Sequence, residues 1–317
     1  MPENPGPISI RFAPPDALQP ALELFFRDFP TSQRADRIAE TLSVAADGEL
    51  DLSRLLIAES TEGIEGVSLV MLQTDGSAFV WAPVTRAIDR RRHIEIADAL
   101  LSQVRDVCLT ENCWLGQALL DDSQQQELAD LVRNGFPELA RLRFLQRSVR
   151  ENAPTRSEPN LTAVPFTDDS ARERFARIIE RTYLDSLDCP ELHRLRTGEE
   201  ALASHALSGA LVPSMWNVYS LDGKDVGLVL LGDHPDENAC ELVYMGLVTE
   251  ARGRGLGEVL LGDAISRVQK HARETLFLAV DDRNIYAKAL YDRCGFIEVS
   301  RKVACAWLGH RTSRINH

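Results

Sequence analysis

The chain has 317 residues, 44% of them apolar, with a formal net charge of −13; a chain this long buries a large core and points to two domains of about 150 residues. So acidic a balance disfavours nucleic acid, whose phosphates need a basic face. No run approaches the roughly 18 apolar residues of a membrane span, and the start MPENPGPISI lacks the basic-then-apolar layout of a signal peptide, so no membrane association and a cytoplasmic location are expected.

The charge is uneven: 15 Lys+Arg stand against 24 Asp+Glu before Thr155 and 20 against 24 from there on, and all the lysines lie in the second part. A solvated acidic surface accounts for this, and attraction of a cationic substrate is the functional alternative. In chain order, IEGVSLVML (Ile64 to Leu72) is an apolar strand after a glycine turn. The polar, proline-bearing stretch ENAPTRSEPN, residues 151–160, suits an exposed linker. Beyond it, Phe175, Ile178, Ile179 and Leu184 follow helical spacing. VPSMWNVYSL and DVGLVLLGD flank the turn LDGKD as a hairpin. CELVYMGLV (Cys240 to Val248) is a third strand, and ARGRGLGEVLLGDAIS leads into a helix reaching about His271. TLFLAV (Thr275 to Val280) is a buried strand, NIYAKALYDRCG a short helix ending at Gly295, and FIEVSRKVACAWL the closing strand or strands. The fold class is α/β, a mixed α+β sheet that is largely antiparallel, with helices on both faces. Cys108, Cys113, Cys189, Cys240, Cys294 and Cys305 show no Cys-x-x-Cys pair and no metal-ligand spacing, which reads as reduced thiols and no metal.

The same order occurs twice. VTRAIDRRRHIEIADALLSQV from Val84 lies without a gap on VTEARGRGLGEVLLGDAISRV from Val248, and DDSQQQELADLVRNGFPELAR from Asp121 lies on DDRNIYAKALYDRCGFIEVSR from Asp281. The chain is therefore expected to hold two tandem domains, 1–150 and 161–317, joined by 151–160.

Gly253, Gly255 and Gly257 let the backbone approach a ligand closely. A helix starts immediately after them, so unpaired N–H groups and the positive dipole end face the turn, an arrangement that holds an anion, best a diphosphate. Arg252 and Arg254 add positive charge. The spacing fits neither a Rossmann fingerprint nor a P-loop, and a tight strand-to-helix link is the structural alternative.

Arg252-Gly253-Arg254-Gly255-Leu256-Gly257 resembles the R/Q-x-x-G-x-G/A motif of the GCN5-related N-acetyltransferases. Asn284, Ala287, Leu290, Tyr291, Gly295 and Phe296 resemble that family's N-x-x-A-x-x-L-Y-x-x-x-G-F signature. The likeness covers Asn160 to about Trp307 and, through the repeat, extends more weakly over residues 8–150; the tandem layout is similar to that of two-domain members. It implies an N-acetyltransferase that takes acetyl-coenzyme A as cosubstrate and a small-molecule or peptide amine as acceptor. The implied cofactor-binding residues are Met245, Leu247, Val248, Arg252, Gly253, Arg254, Gly255, Leu256, Gly257, Asn284, Ala287 and Tyr291. Tyr291 takes the place of the proton donor, with Tyr286 as runner-up, and Glu241 that of the base. Strand alternation puts Glu241, Val243, Met245 and Leu247 on one face, and a carboxylate in that company should have a raised pKa. The resemblance assigns the oxyanion donor to the Met245 N–H.

For the acceptor site it points to Tyr183, Asp185, Asp188, Trp216 and Tyr244, with the two aspartates holding an ammonium group, or else simply forming a helix exit. His193, His205 and His234 are isolated and read as surface or satisfied side chains. In the first copy Arg252, Gly253, Gly255 and Gly257 become Ile88, Asp89, Arg91 and His93, while Asn284 and Tyr291 become Gln124 and Leu131. Side chains fill the turn and Asp89 brings negative charge, so residues 1–150 are expected to keep the fold without binding the cofactor. The rival to an enzyme is a non-catalytic acyl-coenzyme A sensor or scaffold. A homo-oligomer is left open.

Overall fold

The computed structural model describes residues 6–150, 156–193 and 195–309, the side chains of Asp169 and Ser170 aside; residues 151–155 of the expected linker lie outside it. The elements are β1 Ser9–Phe12, α1 Leu18–Phe25, α2 Thr31–Ala46, β2 Leu55–Ser60, β3 Gly63–Leu72, β4 Ser77–Thr85, α3 Arg90–Thr110, β5 Leu115–Asp121, α4 Gln125–Arg133 and β6 Glu138–Ser148. They continue as β7 Leu161–Pro165, α5 Asp169–Tyr183, α6 Pro190–His193, α7 Gly198–His205, β8 Ala210–Leu211, β9 Asn217–Leu221, β10 Lys224–His234, β11 Ala239–Leu247, α8 Leu256–Lys270, β12 Thr275–Asp281, α9 Ile285–Arg293 and β13 Ile297–Leu308. No helix among the described residues is long and apolar enough to cross a membrane.

Two compact units form: residues up to 139 with those from 303 on, and residues 140–302. In the first, β1 to β4 pair antiparallel in sequence order, β4 and β5 run parallel, and β13 lies next to β5. Successive side chains of β2 serve opposite faces, so both faces are covered: Leu56 and Ala58 pack with Ile96, Leu100 and Val104 of α3, whereas Leu55 and Ile57 pack with Leu22 of α1 and Ile38 of α2.

The second unit has the order β6-β12-β11-β10-β9-β7, with β8 on β10. The expected hairpin is present: Leu221 pairs with Lys224 across Asp222 and Gly223, which both have positive φ, 50° and 77°. The helix α8 buries Leu260, Leu261, Ala264, Ile265 and Val268 at helical spacing, and Phe175, Ile178 and Ile179 of α5 join the same core.

The compact units are cut elsewhere than at the expected linker. The strand β6 follows the first copy in sequence yet pairs antiparallel with β12, Thr275 opposite Ser148 and Asp281 opposite Leu142. Val303 and Cys305, expected to close the second copy, sit in the core of the first unit, where Ala306 donates to the Pro137 carbonyl. Ladder bonds use backbone groups common to all residues, so a strand's own pattern does not record its partner.

Candidate active site

In the second unit β11 pairs with β12 only from Ala239 to Glu241, although β11 runs on to Leu247 and β12 to Asp281. The strands splay, and from Leu242 onward one backbone edge of β11 has no ladder partner there. On its other side β11 carries a bulge: Leu231 pairs with Leu242 and Leu230 with Tyr244, so Val243 is the extra residue. A cavity of about 990 Å³ lies in this wedge, lined among others by Leu242 to Leu247, Ala279, Val280, Ala287, Leu290 and Tyr291.

The bulge corrects the one-face reading. After it, the Tyr244 hydroxyl bonds Thr182 Oγ1 on α5 at 2.8 Å, while Leu247 lies between Gly227 and Gly257 with Leu260 of α8 close by. Glu241, ahead of the bulge, stands 3.4 Å from His234 Nε2, and His234 in turn lies against Gly209, just beyond α7. Strict period two therefore does not carry from Glu241 to Met245 and Leu247.

At the mouth, Gly253 (φ 72°) and Gly255 (φ 82°) are left-handed, a conformation costly for residues with a Cβ. Among the described residues nothing lies within 4 Å of where a Cβ on Gly253 would stand. Gly255 is the N-cap of α8 and offers no capping side chain, so the first N–H groups of the helix are left for a ligand. Gly257 faces Leu290, whose Cδ2 would be 3.1 Å from an added Cβ. This bare turn fits a diphosphate.

Three cofactor assignments change. Arg252 lines the cavity, yet its guanidinium donates to the carbonyls of Leu247 (3.0 Å), Asp185 (3.1 Å), Thr182 and Leu184 (2.8 Å each). It satisfies orphan carbonyls at the end of α5 and ties that end to β11 rather than reaching for phosphate. Val248 and Leu256 are 1% exposed, and the Val248 N–H is used on Val226; both are core residues, because the strand and helix flanking the turn need apolar anchors. Met245, Leu247, Gly253, Arg254, Gly255, Gly257, Asn284, Ala287 and Tyr291 all line the cavity.

Of the polar groups, the Tyr291 hydroxyl has no hydrogen-bond partner among the described residues. Burial pushes its pKa well above the ordinary value, with the Asp188 charge adding to the shift, so it keeps its proton at working pH. Tyr286 also lines the cavity but is 76% exposed. Asn284 caps α9 by accepting from the Ala287 N–H at 3.2 Å. Asp188 is half-buried, and desolvation raises its carboxyl above the usual range. A reciprocal clasp positions it: the Asp281 N–H donates to Asp188 at 3.1 Å, and the Cys189 N–H donates to Asp281 at 3.0 Å. Asp185 and Tyr244 line the cavity.

Trp216 and Tyr183 do not line it. Trp216 is 2% exposed, packs on Phe166 and donates to the Leu231 carbonyl, a core role that its size and single donor suit. Tyr183 stacks on His193 at 3.8 Å between centroids and accepts from Arg196. The histidines are not surface groups. Burial pushes His193 down to about 4 and His205 to about 3, and the His193 Nδ1 and His205 Nε2 atoms are buried without a hydrogen bond among the described residues. His234 was expected to be isolated and instead has Glu241 as a paired carboxylate. Burial raises the Glu241 pKa and His234 opposes the rise; Glu241 stands one residue outside the cavity wall that begins at Leu242.

The first unit shows the same wedge filled. The strand β4 pairs with β5 only over Ser77 to Phe79. Asp89, in the place of Gly253, caps α3 by accepting from the Arg92 N–H at 2.9 Å. His93, in the place of Gly257, bonds Thr85 at 2.8 Å and Asp130, in the place of Leu290, at 2.7 Å. The buried Arg92 pairs with Glu65. The chain itself supplies the anion at this helix N-terminus.

Sequence reasoning missed the Thr182 contact, the Asp281 clasp and His234. The Asp-Asp pair shared by both copies was the one signal pointing to Asp281. Among the described residues no group of three His, Cys, Asp or Glu is placed to hold a metal ion.

Residues 179–296 match the sequence profile of the family described as Acetyltransferase (GNAT) family. A 75-residue stretch is 35% identical to mycothiol acetyltransferase of Streptomyces griseus, covering 24% of this chain and 24% of that protein, so the match spans about a quarter of the relative. Among solved structures, a GCN5-related N-acetyltransferase from Sphaerobacter thermophilus superposes with a TM-score of 0.63 at 18% identity over 95% of each chain. A tandem GNAT protein from the clavulanic acid biosynthesis pathway superposes with a TM-score of 0.52 at 14% identity over 97% of this chain and 100% of that one. Residues 179–296 are thus matched to a GNAT acetyltransferase domain, and the chain shares its fold with solved structures that include a tandem GNAT protein.

Proposed function

We propose that the second unit transfers an acetyl group from acetyl-coenzyme A to a primary amine of a small molecule or peptide, by direct attack in a ternary complex. The observation that carries this reading is that one cavity joins an uncapped helix N-terminus behind a bare glycine turn to the hydroxyl of a buried tyrosine that has no partner among the described residues. Bound acetyl-coenzyme A supplies an activated acyl thioester. The Gly253–Gly257 turn and the first N–H groups of α8 hold its diphosphate. The open edge of β11 around Met245 and Leu247 offers N–H and C=O groups to the pantetheine arm, and the Met245 N–H to the carbonyl oxygen. Asp188 holds the acceptor as an ammonium ion, and Asp185 adds charge at the cavity wall. Glu241, paired with His234 just outside the wall, takes through water the proton that turns the ammonium into the neutral nucleophile. Tyr291 gives its proton to the departing thiolate and regains one from the nitrogen of the collapsing intermediate.

Residues 6–139 keep the fold and leave the chemistry to the second unit, as the filled wedge around Asp89, His93 and Asp130 supports. Thiol release from acetyl-coenzyme A in the presence of a mixed amine library tests the reading. Amine-dependent release supports it. Binding without release for any amine returns the non-catalytic sensor, and absence of binding overturns both.

A further inference from the structure

We propose that Arg156, on the segment leading into β7, is a further phosphate-binding residue of this site and grips the diphosphate of the nucleotide thioester beside the α8 N-terminus. The inference rests on the function proposed above. The Arg156 Nη2 donates to the Arg254 carbonyl, inside the glycine turn, at 3.0 Å. Its guanidinium occupies the space that a Cβ on Gly255 would take, and the residue lines the same cavity as Gly253, Gly255 and Tyr291.

Gly253 and Gly255 are thus bare for different reasons: one faces open space, the other receives an arginine. The remaining Arg156 donors are uncommitted, and no carboxylate lies within ion-pair reach of it among the described residues. The contrast is with Arg252, whose guanidinium is consumed by four carbonyls; Arg156 and Arg254 are cations of the turn itself, and Arg293 of α9 lines the same cavity. A planar guanidinium with free parallel N–H groups suits a phosphate oxygen pair better than an ammonium does.

The full-length chain, its Arg156→Gln and its Arg156→Lys variants are titrated calorimetrically with coenzyme A and with dephospho-coenzyme A, which lacks the 3′-phosphate. Arg156 is exposed, so the variants are expected to melt with the wild type. The expected result is a 10- to 100-fold weaker Kd for Arg156→Gln with both ligands, partial rescue by lysine, and a raised KM for acetyl-coenzyme A at unchanged kcat. Equal affinities for variant and wild type overturn the inference while the functional reading stands. Tighter binding by Arg156→Gln overturns it by making the arginine a plug, and a loss confined to coenzyme A overturns the diphosphate assignment in favour of the 3′-phosphate. A wild type that binds neither ligand overturns the functional reading itself.

Discussion

Replacing Gly253 by aspartate moves the first unit's solution into the second, since Asp89 holds the matching place there and caps α3. Among the described residues the position is open, with nothing within 4 Å of the added Cβ. Its left-handed backbone, φ 72°, is one that aspartate tolerates at a cost of about 1 kcal/mol, and a carboxylate near a helix N-terminus returns about 0.3–1 kcal/mol. Net stability should therefore move by less than about 1 kcal/mol. Binding should not be spared. A unit negative charge about 4 Å from a phosphate at an effective dielectric near 20 costs about 4 kcal/mol, a loss of roughly a hundred- to a thousandfold in Kd. Added salt should restore part of it, because the repulsion is screened. Calorimetric titration of coenzyme A into the full-length variant, beside a thermal melt, reads both effects. A folded variant whose Kd stays within about threefold of wild type would refute the placement of the diphosphate at this turn.

The other predictions use the same chain. Tyr291→Phe should lower kcat by about ten- to a thousandfold with little change in the KM for acetyl-coenzyme A; an unchanged kcat in the thiol-release assay returns Tyr291 to packing. Burial raises the Glu241 pKa, so the basic form disappears as pH falls through a value above the usual 4.5, and kcat/KM should show an acidic limb in that range that Glu241→Gln abolishes. Asp188→Asn should raise the amine KM and leave the limb in place; if it removes the limb instead, Asp188 is the base. Arg252→Met strips four carbonyls of their donor and should cost about 2–4 kcal/mol in urea unfolding, and a cost below about 0.5 kcal/mol would contradict the tie between α5 and β11. His93→Ala should destabilise the first unit by about 1–3 kcal/mol, by weakening the support of the fully buried Asp130, without creating a second binding site.

The turn and the tyrosine were legible because their chemistry is local. Gly253 and Gly255 announce positive φ, and Asn284 and Tyr291 sit on one short helix. The repeat was legible for the same reason, and the pairing of His93 with Asp130, where Gly257 faces Leu290, agrees with both gapless blocks. What could not be read depends on tertiary context. The bulge at Val243 moves Glu241 out of step with Met245, yet no residue in CELVYMGLV marks it. The roles of Arg252 and Trp216 follow from what lies opposite them, carbonyls and core, and type alone does not distinguish a phosphate ligand from a helix-end tie. The partners of β6 and of the end of β13 are invisible for the same reason.

The stoichiometry of acetyl-coenzyme A binding tests the central claim most directly, since the two copies differ at the turn and share a fold. Calorimetric titration of the full-length chain should give one molecule bound per chain, and Gly253→Asp should weaken it by roughly a hundred- to a thousandfold. Two molecules per chain, or one whose Kd stays within about threefold in a folded Gly253→Asp variant, would contradict the assignment of binding to the second unit alone.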